Sequence, residues 1–207
     1  MFEKIKSLPN QLTALRLLLI PVLWVCAFRG LSLWVGIGLA FAILTDFLDG
    51  FFARKLHQIS SFGAKFDSLA DNLLQPSALV WLWILKQSIF LDHPIIWGIA
   101  IAIYFSSLIV GLVKFKRFGN LHLYSSKFAA AITVSFAIHT LIASQYSAVL
   151  LYLALISSII SSAETLILQL MFNQVNEHMG SLFLAINRKR EERENKVYLT
   201  PSQPKVN

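Results

Sequence analysis

Four aspartates share one stretch of the chain, TDFLDGFFARKLHQISSFGAKFDSLAD, from Thr45 to Asp71. Asp46, Asp49, Gly50 and Ala53 fall at i, i+3, i+4 and i+7, which is one face of a helix. Gly63, Asp67 and Asp71 fall at i, i+4 and i+8, again one face. An antiparallel hairpin with a connection of about ten residues brings the two acidic faces together. Carboxylates gathered in this way repel one another and need a cation to neutralise them. Their oxygens suit hard divalent ions, Mg²⁺ or Mn²⁺, whose shells are completed by water and substrate phosphates. With no cysteine nearby and only His57 in the loop, the donor set argues against zinc. Four carboxylates are enough to hold two ions, and a pair about 4 Å apart clamps the entering and leaving oxygens of a phosphoryl displacement. Gly50, Ala53 and Gly63 leave room for a flat ligand, and Arg54 offers a planar cation that matches phosphate oxygens. Small residues in such helices also serve close packing, and a basic pair also marks a membrane boundary. The combination with four acids at helical spacing favours a site.

The elements that carry these residues are apolar. Of 207 residues, 56% are hydrophobic and 14% charged, against about half and about a quarter in a soluble domain. The apolar residues fall in runs long enough to span a bilayer: Gln11–Phe28, Leu31–Phe52, Asp67–Lys86, Ile95–Val113, Ser126–Ala143 and Ala148–Phe172. None shows the strict alternation of a membrane β-strand, so the expectation is an all-α membrane protein with six transmembrane helices. Fifteen Lys and Arg residues lie on one side of these spans and two, Arg29 and Lys86, on the other. That asymmetry places both termini and the aspartate-rich loop in the cytoplasm. The excess of base is thus a topology signal, and its scatter among spans argues against nucleic acid as a partner. Arg16 interrupts the first apolar run, which therefore reads poorly as a cleaved signal peptide. The single cysteine, Cys26, excludes an intrachain disulfide. Residues 1–8 have the pattern of a short juxtamembrane amphipathic helix. Residues 1–186 form one membrane domain, and residues 187–207 a charged tail expected to be disordered. Trp81, Trp83 and Trp97 are expected in an interfacial belt. Arg16 has two readings, reaching the acidic site or snorkelling to headgroups.

The pattern D-x2-D-G-x2-A-R-x8-G-x3-D-x3-D, met at Asp46, Asp49, Gly50, Ala53, Arg54, Gly63, Asp67 and Asp71, resembles the signature of the CDP-alcohol phosphotransferases. The opening Pro-Asn-x-Leu-Thr-x-x-Arg, from Pro9 to Arg16, is similar to the same family. The resemblance implies a homodimeric integral membrane enzyme of the inner or plasma membrane, its active site facing the cytoplasm. It implies transfer of a phosphatidyl group from CDP-diacylglycerol to an alcohol, with release of CMP and dependence on Mg²⁺ or Mn²⁺. It further implies that Asp46, Asp49 and Asp67 are the principal metal ligands. Asp71 stands near the metals as general base, and Gly50, Ala53, Arg54 and Gly63 shape the cytidine and phosphate pocket. A phosphorylated acceptor needs a second cationic pocket, for which Lys116, Arg117 and Lys127 are the candidates. The opening NQLTALRLLLIP is most similar to members that make phosphatidylglycerol phosphate or cardiolipin. Ser68, after the third aspartate, is closer to relatives that use serine or choline. Glycerol 3-phosphate is the favoured acceptor. The alternatives are inositol or inositol phosphate, serine, choline or phosphatidylglycerol and, in another class altogether, a divalent-cation transporter.

Overall fold

The structure, a computed structural model, describes residues 7–56, 58, 60–115 and 124–171. Residues 1–6 of the expected juxtamembrane helix, His57, Lys116, Arg117 and the charged tail lie outside them. All regular elements among the described residues are helices: α1 Leu8–Phe28, α2 Ser32–Lys55, α3 Ser61–Leu85, α4 Ser88–Asp92, α5 Pro94–Phe115, α6 Tyr124–Ile142 and α7 Ala148–Met171. The sequence gives no forewarning of the five-residue α4. Five of the long helices are apolar enough to cross a membrane: α1, α2, α5, α6 and α7. The third expected span falls on α3, a helix of 25 residues that is not among these five. Its first half carries Lys65, Asp67, Asp71 and Asn72, with Gln75 just beyond, so it is more polar than those five.

Local chemistry sets the boundaries. Helix α1 opens with Pro9 in its first turn, where a missing N–H leaves no hydrogen bond unmade. It closes on Gly30 at φ 72°, with Gly30 N donating to Ala27 O at 3.0 Å and Leu31 N to Cys26 O at 2.9 Å. That glycine-capped turn reverses the chain directly into α2. Arg54 and Lys55 occupy the last turn of α2, where cations face the free carbonyls of the helix end. Ser60 is extended, and its Oγ accepts from Gly63 N at 3.0 Å, capping α3. Helix α3 thus begins six residues before the expected Asp67. Hydropathy marks where lipid begins, whereas the cap marks where the helix begins.

The chain divides into two compact units. One contains α1 to α4 together with Val134–Leu151. Within it, α1 packs along both α2 and α3, while α2 and α3 touch each other sparsely. This corrects the simple hairpin expected from the sequence: the acidic helices meet through α1. Leu23 of α1 fits against Gly38, where an added Cβ would clash with Leu23 Cδ2. Trp24 Nε1 donates to Ser77 Oγ at 3.1 Å, and Trp81 stands edge-on to Trp24 with ring centroids 6.0 Å apart. Trp81 is fully buried, not part of an interfacial belt. It continues the inward stripe of Ala70, Leu74 and Ser77 on α3. Trp83, two residues on, is exposed as expected. Ser32 Oγ donates to Leu141 O at 2.6 Å and Lys86 Nζ to Ala143 O at 2.9 Å, satisfying carbonyls at the end of α6.

The other unit holds Ile95–Thr133 and the chain from Tyr152 onward. Within it, Lys114 Nζ donates to Gln169 O at 2.8 Å and to Leu170 O at 3.3 Å, near the end of α7. Gly111 admits the buried Gln169, whose Nε2 would lie 2.9 Å from an added Cβ.

At Gly36 an added Cβ would meet backbone as well as side chain, so its neighbours have little freedom to yield. A Cβ there would meet Ile142 Cγ1 at 2.7 Å, Leu141 Cβ at 3.0 Å and Ile142 N at 3.1 Å. Gly36→Leu is expected to cost about 1–3 kcal/mol and to lower the melting temperature in detergent. Gly98→Leu, where an added Cβ meets nothing within 4 Å, is expected to leave it unchanged. Equal melting temperatures for the two variants would contradict this packing.

Candidate functional site

The site is built on α1. Asn10, Thr13 and Arg16 recur every three residues on a helix that is otherwise largely apolar, and all three are buried. Arg16 is 0% exposed, so it does not snorkel. Its guanidinium lies among all four aspartates. Nη1 is 2.9 Å from Asp46 Oδ1, 3.0 Å from Asp67 Oδ1 and 3.1 Å from Asp71 Oδ1, while Nη2 pairs with Asp49 Oδ2. Thr13 Oγ1 lies 3.1 Å from Asp49 Oδ2 and 3.2 Å from Pro9 O, so its single proton is shared between two acceptors. The second oxygen of the α1 stripe that matters is Asn10 Oδ1, which occupies the space an added Cβ on Gly63 would enter, 2.8 Å away.

The helical spacings therefore do what they promise. One face of α2 supplies Asp46 and Asp49, one face of α3 supplies Asp67 and Asp71, and the two pairs converge. Ligand oxygens of Asp46, Asp49 and Asp67 all lie within 4.8 Å of one another, close enough to share an ion. Asp71 stands outside that group of three while still facing Arg16. The Asp49 side chain is nearly buried at 8%, whereas those of Asp46, Asp67 and Asp71 each keep 40% of their surface open. The cluster is thus closed behind by α1 and open in front.

A sequence model of the CDP-alcohol phosphatidyltransferase family matches residues 6–162. The chain belongs to this family. Among curated proteins it is similar to a CDP-diacylglycerol–glycerol-3-phosphate 3-phosphatidyltransferase of Rickettsia felis, 40% identical over 37% of this chain and 44% of the relative. It is 42% identical to the protein of the same name from Pseudomonas fluorescens, over 37% of this chain and 40% of the relative. The Bacillus subtilis protein of that name is 40% identical over 37% of this chain and 47% of the relative. The chain thus spans less than half the length of each. Its apolar helices and its membership of the CDP-alcohol phosphatidyltransferases make it an integral membrane protein.

The remaining sequence candidates fall in different places. Among the described residues, a Cβ on Gly50 would meet nothing within 4 Å, so this glycine borders open space beside Asp49. Gly63 instead faces Asn10, which gives it a packing duty within the protein. Ala53 is half-buried one turn beyond Asp49, and Arg54 is exposed on the last turn of α2. Lys127 is exposed in the first turn of α6. It lies in the other unit from the aspartates. The ligand-facing signature thus identified the acids but not Asn10 and Thr13. Their signal was available as polar residues recurring at i, i+3 and i+6 with Arg16.

Contact between Gly63 and Asn10 makes a measurable prediction. Gly63→Ala is expected to lower the melting temperature, and Asn10→Ala in the same chain to recover part of the loss. A coupling energy of at least about 0.5 kcal/mol is expected from the double-mutant cycle. Strict additivity would show that the two positions do not touch.

Proposed function

We propose that this protein transfers the phosphatidyl group of CDP-diacylglycerol to glycerol 3-phosphate, releasing CMP, at the cytoplasmic face of the membrane. The observation that carries the reading is the convergence of Asp46, Asp49 and Asp67 oxygens within 4.8 Å beside an open front. Three carboxylates from two helices form an all-oxygen donor set of the kind preferred by Mg²⁺ and Mn²⁺. A guanidinium already seated among them indicates that the position attracts cations. Asp46, Asp49 and Asp67 are the principal ligands in this reading, with four acids available to hold two ions. Bound there, such ions neutralise the diphosphate and the charge that develops on departing CMP.

The protein's own groups do the rest. In this reading Asp71 takes the proton of the acceptor hydroxyl; its partial exposure and its position outside the group of three support that role. The freed oxygen attacks the phosphorus bearing the diacylglycerol, the bond from that phosphorus to the bridging oxygen breaks, and CMP leaves with that oxygen. The open space at Gly50 suits a flat cytosine, and the exposed Arg54 suits a phosphate. The name shared by the relatives favours glycerol 3-phosphate as acceptor. In this reading Lys116, Arg117 and Lys127 receive its phosphate. The basic residues flanking the spans favour six spans with both termini in the cytoplasm, and the homodimer rests on the family resemblance. Residues 1–186 form the membrane domain in the same reading, and residues 187–207 the tail.

Purified protein given CDP-diacylglycerol, Mg²⁺ and a panel of alcohols is expected to release CMP with glycerol 3-phosphate and with no other acceptor at a comparable rate. Asp71→Asn is expected to lower that rate by about 10²–10⁴-fold, the usual worth of a positioned base. Full activity in that variant would remove Asp71 from proton transfer. Release with another alcohol alone would reassign the acceptor. Lys127→Ala is expected to raise KM for glycerol 3-phosphate while leaving KM for CDP-diacylglycerol unchanged, and equal effects on both would end the second-pocket assignment.

A further inference from the structure

We infer that Arg16 is a resident counter-cation of the aspartate cluster: it fills the slot a divalent ion must enter, and loading the site requires it to withdraw. The inference rests on the metal-binding reading above and concerns the chain's own side chain. Nη1 carries two hydrogens, yet three carboxylate oxygens from two helices approach it at 2.9–3.1 Å. Two hydrogens cannot make three straight bonds, so the nitrogen sits as a central charge with acids around it. These are the coordinates of a cation site, filled by a side chain.

The same oxygens cannot serve both occupants. Mg²⁺ binds oxygen at about 2.0–2.1 Å, roughly 1 Å shorter than the distances to Nη1. An ion that draws Asp46 and Asp67 inward to this radius takes the space the guanidinium now fills. Charge favours the exchange, because one guanidinium leaves three of the four carboxylate charges uncompensated. The Arg16 side chain is also incompletely satisfied where it lies: its Nε is buried with no hydrogen-bond partner among the described residues. A buried donor left unmet is costly, which lowers the cost of moving this side chain to a second arrangement.

Two consequences separate this role from simple packing. The metal-free protein depends on Arg16 to hold its acids together, and the metal-loaded protein does not. Metal affinity, in turn, is set by a competition that the chain itself supplies. The deciding experiment uses the full chain in detergent, with Mn²⁺ affinity read by electron paramagnetic resonance and melting temperature read in EDTA and in saturating Mg²⁺. Arg16→Leu is expected to melt below the wild type in EDTA, to lose that deficit in Mg²⁺, and to bind Mn²⁺ at least tenfold more tightly. An equal deficit under both conditions, or Mn²⁺ affinity unchanged or weakened, overturns the inference and assigns Arg16 a fixed structural place. Should Arg16→Leu fail to fold even with Mg²⁺, Arg16→Lys decides. Its single ammonium cannot reproduce both Nη contacts, so tighter Mn²⁺ binding than wild type is expected, and equal or weaker binding overturns the inference. If the wild type itself binds no Mn²⁺, the metal-binding reading fails along with this one. If it binds and the variants do not gain affinity, only this one fails.

Discussion

One guanidinium against four carboxylates governs this structure. Asp46 and Asp49 on α2 and Asp67 and Asp71 on α3 repel each other, and their helices have little direct contact. What joins them is α1, which packs on both and delivers Arg16 to the point where the acids meet. A buried pair broken on one side typically costs about 3–5 kcal/mol. Arg16 is fully buried, and its partners come from two helices, so its removal would be felt across the whole unit. The architecture therefore ties the acidic site to the helix that precedes it in the chain.

The arrangement also explains how so many charges are tolerated in helices of this kind. Asp46, Asp67 and Asp71 each keep part of their surface open, so water or a ligand's phosphate can share the cost of their charge. Asp49 is nearly enclosed and is the acid most heavily supported, by Arg16 and by the Thr13 hydroxyl. Support thus rises with burial, as expected where an unpaired polar group is expensive. The front of the cluster faces outward beside Gly50, where no side chain of the described residues intrudes. A rigid back and an open front suit a site whose remaining partners arrive with the substrate.

Much of this was legible in the sequence. Helical spacing alone put Asp46 with Asp49 and Asp67 with Asp71, because side-chain direction in a helix follows directly from residue number. Hydropathy found the long helices, since lipid-facing segments have few alternatives. Helix α3 starts before its apolar run, because a polar segment can be helical before it reaches lipid; the spacing of Gly63 with Asp67 and Asp71 already placed it there, and the Ser60 cap sets the first turn. Trp81 misled for a related reason. Tryptophan is common at membrane interfaces, but position on the inward stripe of α3 outweighs residue type. Least legible was the intervening α1: two readings of Arg16 survived because nothing in spacing says which neighbour a helix chooses. Asn10 and Thr13 acquire meaning only once α1 is placed against α2 and α3.

The two acidic helix faces meet at a single point, where the proposed cations would be shared. Anomalous diffraction from Mn²⁺-soaked crystals of the full chain measures this without reference to activity. A peak bounded by carboxylate oxygens of Asp46, Asp49 and Asp67, with the Arg16 guanidinium moved out of that position, is the predicted result. Manganese located elsewhere, with these acids pointing to separate surroundings, would contradict it.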